Sequence, residues 1–230
     1  MNASCFPSFL RIVLMLGAAM FTSCLAGAEE SRGVITFAVD PGERYLPLTE
    51  AAKALRWAVE VNETGRCKRI NGVEISEGQL RYLYDGLELV SGSFLARLGA
   101  SDKCLTRLFS EPPGKKWVEI NLAKQQLFAW QGSRLILQSR ISSGRNGRTP
   151  AGEFRAGPFK ARIHYSTRYH RAPMPWSVQI NGNVFVHGFT SVPNYPASHG
   201  CIRLPLTGLN PAKLFFEWVD VGTPVRVTTG

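Results

Sequence analysis

Val184 to Pro205 reads VFVHGFTSVPNYPASHGCIRLP and crowds His187, His199, Cys201 and Arg203 among glycines and prolines. A protonated thiol is a weak nucleophile, and a neighbouring base or cation that favours the thiolate makes it a strong one. VFVHG reads as a buried strand ending in His187, and SHGC as a loop whose glycine lets the backbone approach a reacting carbonyl closely. In such a loop the N–H groups of Gly200 and Cys201 point at a developing oxyanion, the dominant stabilisation in much acyl transfer. His187 is then the base for Cys201, and the Gly188 carbonyl takes the second ring nitrogen in place of an acidic residue. Arg203, two residues beyond the thiol on an extended segment, falls on the same side and is placed to hold a substrate carboxylate. Two histidines and a cysteine are also three ligands of a metal site with an open position. No fourth polar ligand stands nearby, so the expectation is no metal and no cofactor.

The surrounding elements must hold that loop. From Lys115 onward the period is that of strands: Val118, Ile120 and Leu122 share one face, QQLFAW follows, and a Gln-Gly-Ser turn leads into RLILQSRIS. One convincing helix appears, NPAKLFFEWV, with Asn210 as its cap and Pro211 in its first turn, and GTPVRVT follows as a closing strand. Residues 115–230 are therefore expected to be mainly β, a sandwich or open barrel with short helices. Before them, SEPPGKK punctuates the chain, and residues 110–114 read as a linker.

Residues 33–109 read as a small α+β module, which makes the whole chain α+β. GVITFAVD suggests a strand, YLPLTEAAKALRWAVEVN a helix carrying Leu48, Ala51, Ala52 and Leu55 with Thr49 as its cap, and WAVEV a second strand. A looser second round places a hairpin at Asp85-Gly86 and a short helix ending at Gly99.

The first 28 residues stand apart. Arg11 is their one charged side chain, ahead of the apolar run IVLMLGAAMF and the small-x-small pattern Ala26-Gly27-Ala28. This reads as a secretory signal peptide, with lipid attachment at Cys24 in FTSC as the minority alternative. The expected location is the periplasm or cell envelope. Removing this segment takes one basic and no acidic residue from a chain of formal charge +10, leaving +9. Export and the lack of any nucleic-acid-binding signature turn that charge away from nucleic acid and towards an anionic surface or polymer outside the cell. Three cysteines lie beyond the segment, and in an oxidising compartment an even pair is stapled and an odd one left free. Cys67 and Cys104, both before the linker, are expected to form a disulfide, with Cys201 free.

His187-Gly188 followed by Ser198-His199-Gly200-Cys201-Ile202-Arg203 resembles the signature of the YkuD-type L,D-transpeptidases, which cross-link peptidoglycan through a cysteine acyl-enzyme. GRTPAGEF (Gly147 to Phe154), APMPWSV with Met174, and VGTPVRV are similar to further segments of that family. The resemblance covers about half the chain. It implies Cys201 as nucleophile, His187 as base and Gly188 as carbonyl partner. It implies that His199 and Gly200 shape the oxyanion pocket and that Ser198, Met174 and Arg203 lie against substrate. The implied substrates are peptidoglycan stem peptides joined in 3-3 cross-links, with carbapenem-type β-lactams as inhibitors. Hydrolysis by the same thiol, attachment of a wall protein, or peptidoglycan binding without catalysis are the alternatives. Residues 33–109, and YLPLTEAAKALRWAVEV above all, resemble the copper amine oxidase N-terminal-like domain, with no metal-ligand cluster among them.

Overall fold

Alternation of buried and exposed residues along Lys116–Asn121 (β7), Gln126–Gln131 (β8) and Arg134–Arg140 (β9) builds an antiparallel meander at the centre of the second half. Its inward residues, among them Val118, Ile120, Leu127 and Ala129, are almost wholly buried, while Trp117 and Trp130 stack across the opposite face at 5.8 Å. The structure is a computed structural model and describes residues 33–76 and 78–230. The expected signal peptide at residues 1–28, Cys24 included, lies outside the described residues. Among the described residues no helix is long and apolar enough to cross a membrane.

The remaining elements follow in chain order. The first half holds β1 (Tyr45–Pro47), α1 (Leu48–Leu55), β2 (Val59–Val61), β3 (Cys67–Ile70), β4 (Val73–Glu74), β5 (Arg81–Tyr82), β6 (Glu88–Ser91), α2 (Gly92–Arg97) and α3 (Asp102–Leu108). The second adds β10 (Gly152–Arg155), β11 (Lys160–Tyr165), β12 (Pro173–Asn181), β13 (Val184–Phe189), β14 (Ile202–Pro205), α4 (Pro211–Trp218) and β15 (Pro224–Thr228) to the meander. A five-stranded sheet runs β10-β15-β7-β8-β9 and a four-stranded sheet runs β11-β12-β13-β14. Apolar residues of both sheets meet α4 in one core, so the second half is mainly β with short helices. The Asn210 side chain caps α4 by accepting from the Lys213 N–H at 3.0 Å. Its apolar face, with Phe215 and Trp218 fully buried, packs on β9, β12, β13 and β14.

In the first half, β1-β6-β5 and β2-β3-β4 form two small sheets beside an apolar cluster that includes Leu46, Leu48, Ile70 and Phe94. Ile35, Phe37, Tyr45, Leu83 and Leu89 belong instead to the larger core, and the described residues fall in one compact unit. An ion network ties the halves together: Arg81 donates to Glu217 of α4 at 2.8 Å and pairs with Asp40, which also accepts from the Tyr45 hydroxyl at 2.7 Å.

Three expectations need correction. GVITFAVD is no strand. Ile35 alone bridges Tyr45, and the Val39 N–H turns away to the Glu217 carbonyl at 3.2 Å. Helix α1 begins at Leu48, behind Pro47 and without a side-chain cap, because burying Leu48 starts the helix before Thr49. Cys67 and Cys104 are free thiols, not a disulfide. Cys67 sits on β3, its N–H on the Glu88 carboxylate at 3.0 Å, whereas Cys104 is exposed on α3, which packs on α1 and α2. Counting cysteines ignored which elements carry them.

Candidate active site

Strands β13 and β14 run parallel with Val186 level with Ile202 and His187 level with Arg203. Side chains alternate along a strand, so Phe185 and His187 share a face with Arg203 and with Cys201, the residue that leads into β14. His187 is 4% exposed, and its Nδ1–H donates to the Gly188 carbonyl at 2.9 Å. That bond leaves Nε2 as the ring's unprotonated nitrogen. Burial pushes the imidazole down to about 4; the Gly188 carbonyl opposes the shift, and the charges of Arg203 and His164 add to it. His187 is therefore neutral at pH 7. Gly188 is closely packed: a Cβ there would stand 2.3 Å from Leu206 Cδ2, so that side chain would have to move, and 3.1 Å from Ala212 Cβ of α4.

The Cys201 thiol donates to the Asn183 carbonyl at 3.6 Å, not to His187. Burial raises its pKa, while the Phe185 N–H and the Arg203 guanidinium favour the thiolate. The resting pair is thus thiol and neutral imidazole. Arg203 is half-buried, with its guanidinium 4.0 Å over the Phe189 ring.

A buried polar scaffold holds the SHGC loop. Ser198 Oγ accepts from the Gly200 N–H at 3.0 Å and donates to the Cys201 carbonyl. Thr149 Oγ1 donates to the Gly200 carbonyl and accepts from the Gly144 N–H, both at 2.7 Å. The Ser143 carbonyl accepts from the Ala197 and Ser198 N–H groups at 3.0 and 2.9 Å. Gln125 grips Ser143 at both ends of its amide, each at 2.8 Å. Gly200 sits at φ +143°, which favours glycine, and a Cβ on Gly144 would come within 2.8 Å of Gly200 Cα.

This geometry redistributes the expected roles. The Gly200 N–H is taken by Ser198, which corrects its assignment as an oxyanion donor and leaves the Cys201 N–H as the loop's candidate. Ser198 is buried and acts on the loop, not on a ligand. His199 is exposed, stacked on Tyr169 at 4.2 Å, and its Nε2 accepts from Arg145 at 2.8 Å. Its pKa is lowered, first by what burial it has and then by Arg145, Arg148 and Arg203. Met174 is buried on β12 and lines the same cleft as the thiol.

That cleft has a volume of about 230 Å³, and Arg148, His164, Arg168, Asn183 and Cys201 are among its walls. His187 is not. A larger cavity of about 630 Å³ between Tyr45, Arg81 and α4 is lined by neither thiol nor imidazole. Among the described residues no group of three or more His, Cys, Asp or Glu is gathered as a metal site. Sequence reasoning missed His164, Asn183, Gln125 and Ser143. Alternation along KARIHY was the available signal for His164. For Gln125, whose partner lies 18 positions away, there was none.

A Bacillus subtilis (strain 168) protein named as an L,D-transpeptidase, YciB, is 28% identical over 131 residues, 49% of this chain and 65% of its own. The chain therefore spans just under two thirds of that relative's length. Among solved structures, an L,D-transpeptidase from Xylanimonas cellulosilytica DSM 15894 is 28% identical, with TM-score 0.43 over 56% of this chain and 70% of the other. The catalytic domain of an E. faecium L,D-transpeptidase acylated by ertapenem is 26% identical, with TM-score 0.40 over 51% of this chain and all of the other. Residues 115–227, which hold the thiol, the imidazole and the scaffold between them, match the family model of the YkuD L,D-transpeptidase catalytic domain.

Proposed function

We propose that the chain is an exported, cysteine-dependent L,D-transpeptidase that joins peptidoglycan tetrapeptide stems in 3-3 cross-links. One observation carries this reading. A buried, neutral His187, anchored by Gly188, faces the side of the sheet that bears Cys201, within the segment matched to that domain. In the first half-reaction the thiol turns from the Asn183 carbonyl and passes its proton to His187 Nε2 as sulfur attacks the carbonyl of the third stem residue, diaminopimelate. Proton transfer to an imidazole of pKa about 4 is uphill before substrate arrives. It becomes feasible when coupled to attack, because the negative charge moves from sulfur to an oxyanion beside the Cys201 N–H. His187 then protonates the amine of the leaving D-alanine, and a thioester remains. In the second half an amine of a neighbouring stem attacks the thioester, His187 takes its proton, and the thiol is restored. Water in place of the amine makes the chain a carboxypeptidase, and a protein amine makes it a wall-attachment enzyme. Carbapenems would acylate the same sulfur. Residues 33–109 are assigned contact with the wall.

The test is incubation with purified disaccharide tetrapeptide and mass analysis of the products. A dimer lacking one D-alanine is expected, and Cys201→Ala should form none. Tripeptide alone would reassign the chain as a carboxypeptidase, and unchanged substrate would overturn catalysis in favour of binding.

A further inference from the structure

The walls of the thiol cleft carry two guanidiniums, Arg148 and Arg168, two imidazoles, His164 and His199, and no carboxylate. Arg203 stands beside the sulfur, and Arg145 is bonded to His199 at the rim. Among the described residues none of these four arginines has a carboxylate partner, while Arg69, Arg81, Arg134 and Arg226 elsewhere each have one. Other described arginines, among them Arg56, Arg107 and Arg140, also lack a carboxylate partner among the described residues; what marks this group is that it gathers around one cleft whose walls carry no carboxylate to offset it.

Backbone contacts fix the segments that carry the two lining arginines. The Arg148 N–H donates to the Arg145 carbonyl at 3.3 Å, and the Arg148 carbonyl lies against Gly200, 3.5 Å from where a Cβ would be. The Arg168 N–H donates to Ser166 Oγ at 3.3 Å, and that turn is closed by Ser166 N–H to Ala172 carbonyl at 3.0 Å. These bonds hold the backbone and leave the two exposed side chains free to swing, and a planar guanidinium fork suits bidentate contact with a carboxylate.

We propose that Arg148 and Arg168 form an anion subsite at the mouth of the Cys201 cleft, which selects donor peptides by their free carboxylates. A peptide bearing carboxamides at those positions is then a poor donor. The peptide part of this inference rests on the transpeptidase reading, but the subsite can be tested without it. The probes are iodoacetate and iodoacetamide, with alkylation followed by mass at the Cys201 peptide. The ratio of their rates cancels any change in thiol reactivity or folding common to both reagents. In native protein the ratio should exceed that at Cys201 in denatured protein by roughly fivefold at low salt, falling as salt rises. The double variant Arg148→Gln, Arg168→Gln should bring it close to the denatured value. A native ratio equal to the denatured one, or unchanged in the double variant, overturns the subsite. The second arm compares tetrapeptide stems with free and with amidated carboxylates, where the free form should turn over several-fold faster. Equal turnover overturns the selectivity. If neither stem is consumed while the alkylation ratio behaves as stated, the transpeptidase reading fails and the subsite stands.

Discussion

The two halves of the molecule place their buried polar groups differently. Among the described residues, Ser91 is the one buried polar residue in the first half, whereas the second half buries Gln125, Ser142, Ser143, Thr149, His187 and Ser198, among others. No buried side-chain nitrogen or oxygen among the described residues lacks a hydrogen-bond partner. Burying a polar group costs free energy unless it is bonded, so a bonded set specifies one arrangement and penalises every other. The first half relies on non-directional apolar contact and on partly exposed ion pairs, Arg81 with Asp40 and Glu217, Arg134 with Glu50 and Arg69 with Glu60, which suffice to hold an element in place. The second holds the SHGC loop to fixed coordinates, as the proposed thiol chemistry requires.

Removing the imidazole tests that contrast most severely. His187→Gln should lower acylation by a factor of about 10² to 10⁴, the usual yield of a positioned base. It should also change the pH dependence of folding. The folded-state pKa of His187 is about 4, below the ordinary 6.5, so its contribution to stability is present above pH 6.5. It is lost as pH falls towards 4, by on the order of 3 kcal/mol for a group this buried. Urea denaturation of wild type and His187→Gln across pH 4 to 7 should show that loss in the wild type alone. A wild type as stable at pH 4.5 as at pH 7 would mean that the ring is not held neutral.

Next in size is the scaffold. Gln125→Ala leaves the Ser143 N–H and hydroxyl without their partner in a buried site, at a cost of about 1–3 kcal/mol. Acylation by a small β-lactam should fall with it, although Gln125 touches neither sulfur nor imidazole. A variant that lost stability but acylated at the wild-type rate would reduce the scaffold to a fold element and erase the contrast between the halves.

What the sequence made legible follows the same division. Alternating runs announced β7, β8 and β9, and Asn210-Pro211 announced α4, because those signals are local. His187, Gly188 and Cys201 stood out by residue type. The Gly200 N–H was misread because its partner, Ser198, depends on how the loop folds, and side-chain bonds across two residues leave no periodic trace. Gln125 was invisible for a stronger reason: its bonds to Ser143 exist only once β8 and β9 have brought the two segments together. In the first half, Thr49 satisfied the composition of a cap but lost to the burial of Leu48, a tertiary preference over a local one.

The smallest effect is expected where the halves meet. Arg81 bridges Asp40 and Glu217 while partly exposed, so solvent screening limits what the network contributes. Arg81→Met should cost about 1 kcal/mol, part of it from leaving two carboxylates facing the same vacated position. The loss should shrink at high salt, which weakens the network in the wild type as well. Urea midpoints at low and high ionic strength would measure it. Acylation of Cys201 should not change. Glu217 lies near the C-terminal end of α4, whereas Ala212, the residue against Gly188, lies at the other end and is fixed by apolar packing on the sheet. If Arg81→Met slowed acylation as much as Gln125→Ala, the ion network would be part of the machinery that sets His187, and the first half would do more than hold elements in place.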